Sequence, residues 1–212
     1  MFDELRRVIE EYIAWHSHPR LADGEPPYWN NETASVSMLV AAAARKKWLA
    51  LAQYETERMS KGKQPGRGFC DLYLASDENW IEIEAKQIPA PYEYHRATSI
   101  DRALGLAIEQ TKTLPSKDPC AALVFAVMQV PKDDRKADWP KHFVDVFGRA
   151  RADLCWIWYD HKADKKYEWK DEDHVWPGLG IFLRLLERPP KHVPLRRRAQ
   201  RRAGAPASTN LR

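Results

Sequence analysis

Residues 121–130 are apolar at every position except Gln129, and no other feature restricts the fold as much. The run is far short of the roughly 20 residues that cross a bilayer. A strand with one wet face would alternate polar and apolar side chains; a run like this one belongs to a central strand covered on both faces. The chain therefore needs helices on both sides of a sheet. At 212 residues, with 44% hydrophobic residues and nine tryptophans, it is long enough to build that core as one domain without disulfides.

Periodicity supplies the other elements. Residues 2–15 place Phe2, Leu5, Ile9, Tyr12 and Ile13 on one face of an amphipathic helix. Asn30 or Asn31 is positioned to cap a second helix over 32–47, with Val36, Leu39, Val40 and Ala43 as its apolar stripe. Strands are predicted over 48–54 (extending toward Glu57), 70–75 and 80–86, the last two joined as a hairpin by residues 76–79. A helix over 99–114 turns Ile100, Ala103, Leu104, Ala107 and Ile108 inward. A helix over 139–151 and strands over 154–159 and 180–186 complete the series, and 121–159 reads as a right-handed parallel crossover. The fold class is α/β: a mixed sheet flanked by helices in α-β-β-β-α-β order, preceded by an N-terminal helix.

Charge divides the chain. Residues 188–212 carry eight of the 34 Lys and Arg and none of the 30 Asp and Glu, which leaves residues 1–187 at −4 (26 against 30). The expected organisation is one α/β domain over 1–187 and a disordered basic tail over 188–212. Such a tail either holds nucleic-acid phosphates or is simply a solvated terminus. Cys70, Cys120 and Cys155 are odd in number, far apart and set in apolar runs, so buried free thiols and a cytoplasmic location are expected. Residues 1–11 are too polar for a signal peptide, no membrane association is expected, and His16 and His18 lack zinc-site spacing.

Chemistry concentrates in 69–87. Side chains alternate along a strand, so Ile81, Ile83 and Ala85 face a core while Glu82, Glu84 and Lys86 line the opposite face. The hairpin partner brings Asp71 alongside, so two carboxylates and a lysine converge at one sheet edge. Phosphodiester hydrolysis needs such a set. Carboxylate oxygens are hard ligands for Mg²⁺, which retains several waters and a substrate phosphate. A nearby ammonium orients the attacking water and stabilises the charge that develops on phosphate. The plainer reading makes Glu82, Glu84 and Lys86 the solvated face of a half-exposed strand.

Asp71, a gap of twelve residues, then Glu84-Ala85-Lys86 resembles the D…(D/E)xK signature of the PD-(D/E)XK nuclease superfamily, over roughly residues 30–130. The resemblance implies a restriction-endonuclease-like core in which Asp71 and Glu84 bind a divalent metal, Ala85 lends its backbone carbonyl and Lys86 is catalytic. Glu32 resembles a glutamate that many members carry on the helix before the sheet; its alternative role is to favour the helix dipole. Cys70 stands where the signature has proline. The resemblance further implies Mg²⁺, with Mn²⁺ as substitute, and a nucleic-acid substrate, DNA ahead of RNA. It also implies endonuclease action in bacterial or phage defence, repair or restriction, with a homodimer or larger complex for cutting two strands.

Gln110 and Glu55 are further candidates for the site, and Gln87 either reaches it or, the preferred reading, merely ends its strand. Loops 88–98 (Tyr92, Tyr94, His95, Arg96) and 160–178 (Lys165, Lys166, Tyr167, Trp169) are candidates for nucleic-acid contact. Two other functions stay open: a catalytically silent nucleic-acid-binding subunit that keeps the fold, and a protein–protein adaptor.

Overall fold

A computed structural model describes residues 2–16, 28, 31–59, 64, 66–92, 96–114, 119–131, 138–159 and 174–186. The elements are α1 (Phe2–His16), α2 (Glu32–Arg45), β1 (Leu49–Arg58), β2 (Gly66–Ala75), β3 (Trp80–Pro91) and α3 (Ala97–Thr111). They continue with β4 (Cys120–Pro131), α4 (Trp139–Phe147), β5 (Leu154–Tyr159), β6 (His174–Val175) and β7 (Gly178–Leu186). Asn31 caps α2, its Oδ1 accepting from the Ala34 amide at 2.9 Å. Ser76 closes the β2–β3 turn, its amide donating to the Asn79 carbonyl at 2.7 Å.

The strands form one mixed sheet in the order β1-β2-β3-β4-β7-β5, with β6 on β4. β4 is central, parallel to β3 and antiparallel to β7, and it is buried throughout except at Gln129 and Pro131. β5 pairs antiparallel with β7, so β4 and β5 run the same way with β7 inserted between them. The adjacent parallel pair is β3 and β4, linked through α3.

Each face of the sheet buries its own helices. Leu5, Ile9 and Tyr12 of α1 and Val36, Leu39 and Ala43 of α2 pack on Leu72, Ile81, Ile83, Ala85, Leu123 and Phe125. Ile100, Leu104 and Ala107 of α3 and Phe143 and Phe147 of α4 pack on Ala122, Val124, Ala126 and Phe182 on the other face. Gly180 is required here: a Cβ at that position would lie 2.4 Å from the Phe147 ring. The fold is thus mixed α/β, helices flanking a central mixed sheet.

Several expected boundaries shift. β1 reaches Arg58, α4 stops at Phe147, and the two-residue β6 has no counterpart in the sequence reading. β3 runs on through Pro89 and Pro91 because β4 pairs with it as far as Pro91↔Gln129. Cys70 and Cys120 are buried free thiols as expected, but Cys155, on the outer strand β5, is exposed. Residues 188–212 lie outside the described residues. Among the described residues no helix is long and apolar enough to cross a membrane.

Candidate active site

The site lies where β2 parts from β3. The β2–β3 ladder runs from Ala75↔Trp80 to Leu72↔Ile83 and stops one step before Asp71 would face Glu84. Asp71 is also skipped in the β1–β2 ladder, and Gln53, which would oppose it, has a φ of 47°. The alternation of faces breaks at the same point. Leu72 and Leu74 join the α1/α2 core, whereas Cys70 packs with Leu114, Cys120 and Tyr54. Local irregularity in β1 and β2 therefore frees Asp71 from sheet pairing on both sides.

Beyond Ile83, β3 is paired with β4 on one edge and open on the other. Its open-edge amides need acceptors, and carboxylates supply them. Asp71 Oδ2 accepts from the Ala85 amide at 2.8 Å, and Glu32 Oε2, from the first turn of α2, accepts from the Gln87 amide at 3.0 Å. Pro89 and Pro91 continue this edge at the same two-residue step, where a missing N–H costs no ladder bond.

Lys86 gathers the same groups. Its Nζ donates to the Ala85 carbonyl at 2.5 Å and lies 3.9 Å from Asp71 Oδ2 and 3.7 Å from Glu32 Oε1. Glu84 is 1% exposed and Glu82 6%, which overturns the reading of this face as solvated. Tyr54 covers Glu82, its hydroxyl donating to Oε1 at 2.6 Å. Arg58 covers Glu84, Nη2 donating to Oε1 at 2.7 Å. Arg58 also donates to the Gln110 carbonyl and Thr113 Oγ1, both at 3.0 Å, and to the Phe69 carbonyl.

Burial, reinforced by the neighbouring charge of Asp71, pushes the Glu84 carboxyl up to about 7, with Arg58 pulling the other way. Burial likewise raises Glu32, and Lys86 opposes it. Burial first, then Glu84, pushes the Cys70 thiol up to about 12, which keeps it protonated and unsuited to nucleophilic work.

Glu32, Asp71, Glu84, the Ala85 carbonyl and Lys86 therefore come together. Other candidates do not. Glu55 is exposed and pairs with Arg67 at 3.3 Å. Among the described residues, Gln110 reaches the site through its carbonyl on Arg58. The Gln87 side chain turns to Ser35 Oγ at 2.8 Å and the Tyr28 carbonyl at 2.9 Å, bracing α2 instead. Tyr92 packs on His142 and Phe143. Tyr94, His95, Lys165, Lys166, Tyr167 and Trp169 lie outside the described residues. Arg58 was not anticipated, because the strand carrying it was expected to end by Glu57 and periodicity does not report contacts across elements.

No group of three or more His, Cys, Asp or Glu side chains arranged to hold a metal occurs among the described residues. The set here is smaller: the Asp71 and Glu84 carboxylates and the Ala85 carbonyl. Those are hard oxygens, and an ion that keeps most of its own waters needs few of them, so the donors fit Mg²⁺. The Ala85 carbonyl and Asp71 already draw one cation, the Lys86 ammonium, to this edge. Glu32 and Gln87 also line a cavity of about 410 Å³ with Val127, Gln129 and Trp176.

The fold and site define a mixed α/β protein with a carboxylate–lysine cluster where two strands part. In comparisons with known proteins, no family model, no curated protein and no solved structure matches this chain.

Proposed function

We propose that this protein is a metal-dependent nuclease of the PD-(D/E)XK class, with DNA as its substrate. One observation carries the reading: Asp71, freed from pairing by the strand split, meets the Ala85 backbone beside Lys86 and Glu84. The element order of a restriction-endonuclease-like core, with Glu32 leading the helix before the sheet, supports it.

Asp71, Glu84 and the Ala85 carbonyl would hold Mg²⁺, with Mn²⁺ as substitute. The bound ion supplies charge neutralisation on the phosphate oxygens and an acidified water. Lys86, steered by Asp71 and Glu32, donates to the attacking water or to a phosphate oxygen. The cavity beside Glu32 falls in the size range of ligand pockets and offers room for part of a nucleotide.

The test is cleavage of supercoiled, linear and single-stranded DNA, and of RNA, with Mg²⁺ or Mn²⁺ and with EDTA. Metal-dependent cutting of DNA is expected, reduced in Lys86→Ala by about 100-fold or more. Equal cutting by wild type and Lys86→Ala removes the lysine's role.

One observation favours a second reading, a catalytically silent nucleic-acid-binding subunit. Glu84 is paired with Arg58, and Asp71 and Glu32 share Lys86, so two cations of the chain already offset two of the three carboxylate charges. Salt-sensitive DNA retention with neither cleavage nor metal binding would select it.

A further inference from the structure

Arg58 lies near the end of β1, yet its guanidinium reaches past β2 to Glu84 on β3. Four groups accept from it: Glu84 Oε1 on β3, the Phe69 carbonyl on β2, the Gln110 carbonyl in the last turn of α3 and Thr113 Oγ1 just beyond that helix. The planar, five-donor guanidinium suits such a fork, and a helix C-terminus favours a cation. Gly68 leaves the corridor open, since a Cβ there would lie 2.5 Å from Arg58 Cγ and 3.2 Å from Nε. A side chain anchored this way is not poised to swing out of the site.

We infer that Arg58 is a positioning residue for the metal-holding carboxylate, fixing Glu84 through Oε1 so that its other oxygen is presented to the divalent ion. The inference rests on the nuclease reading above. Carboxylates that ligate metals are themselves oriented by hydrogen bonds, and loss of such a partner weakens metal binding. The opposing possibility is a competitor: a guanidinium repels a second cation, so removing it would tighten binding. The two differ in sign.

The experiment is Mn²⁺ binding to the full chain by calorimetry, with wild type, Arg58→Ala, Arg58→Lys and Gly68→Ala, and thermal unfolding of each in EDTA. Arg58→Ala is expected to bind about 10- to 100-fold more weakly. Arg58→Lys is expected to fall between, because one ammonium restores the charge without the fork. Gly68→Ala, which displaces the arginine stem, is expected to weaken binding with the guanidinium still present. If Arg58→Ala does not fold, Arg58→Lys and Gly68→Ala carry the comparison. Binding in the variants as tight as wild type, or tighter, overturns the role of Arg58 and leaves the nuclease reading standing. No Mn²⁺ binding by wild type removes the nuclease reading, and this inference with it.

Discussion

His16 and Glu84 are both buried, and burial moves their ionisation in opposite directions. His16 sits among Tyr12, Tyr28 and Trp158, with ring centroids 4.8, 5.1 and 5.2 Å away. Neither of its ring nitrogens has a hydrogen-bond partner among the described residues. Burial lowers His16 from 6.5 to about 4, so it folds neutral. Its contribution to stability is complete above pH 6.5 and is lost as pH falls toward 4, because the unfolded chain takes up the proton first. A shift of that size corresponds to about 3 kcal/mol. Glu84 is raised from 4.5 to about 7, so between those values it destabilises the fold increasingly as pH rises. The two overlap, and the His16 effect is read as a difference. Urea unfolding of His16→Phe against wild type should show the variant's relative stability growing by up to about 3 kcal/mol from pH 7 to pH 4. A constant gap would show that His16 is not the group responsible.

Among the elements, β1 and β2 are where regularity fails and the site begins. Gln53 occupies the left-handed region inside a ten-residue strand, so the usual strand preference reverses there. Gln53→Val, ordinarily favourable in a sheet, should cost about 1–2 kcal/mol in urea unfolding. A neutral result would show that β1 is regular at this point. On β7, Gly180→Ala forces Phe147 to move and should cost about 1–3 kcal/mol. Much of this architecture was legible. The alternation of Ile81, Ile83 and Ala85 shows which face of β3 is core, and the apolar run of β4 demands helices on both sides. Glu84 and Lys86 follow from that alternation, whereas Asp71 reaches them only because pairing fails around it, an irregularity the sequence does not announce. The burial of Glu82 and Glu84 was not legible, because their covers, Tyr54 and Arg58, come from β1 after a reversal of faces that no periodicity encodes. The reach of β3 to Pro91 was hidden for a similar reason: two prolines look like a loop until one edge of the strand is known to be unpaired.

At the scale of the whole molecule, the cluster draws on four segments separated in sequence: the start of α2, the end of β1, Asp71 on β2, and 84–86 on β3. Sheet formation and the packing of α2 together assemble it, so a fragment lacking α2 or β1 would retain the signature but not the arrangement. The one-sided pairing of β3 has a consequence for hydrogen exchange. Along the edge facing β4, amides are protected by the ladder. On the other edge, those of Ala85 and Gln87 are protected only by the Asp71 and Glu32 carboxylates. A net hydrogen bond of about 1 kcal/mol corresponds to roughly fivefold in exchange rate. Asp71→Ala should therefore speed exchange at Ala85, and Glu32→Ala at Gln87, while Glu84 and Lys86 amides stay slow. Added Mg²⁺ that engages Asp71 should speed Ala85 in the wild-type protein, so that this single amide reports by NMR whether the carboxylate has exchanged a backbone partner for an ion.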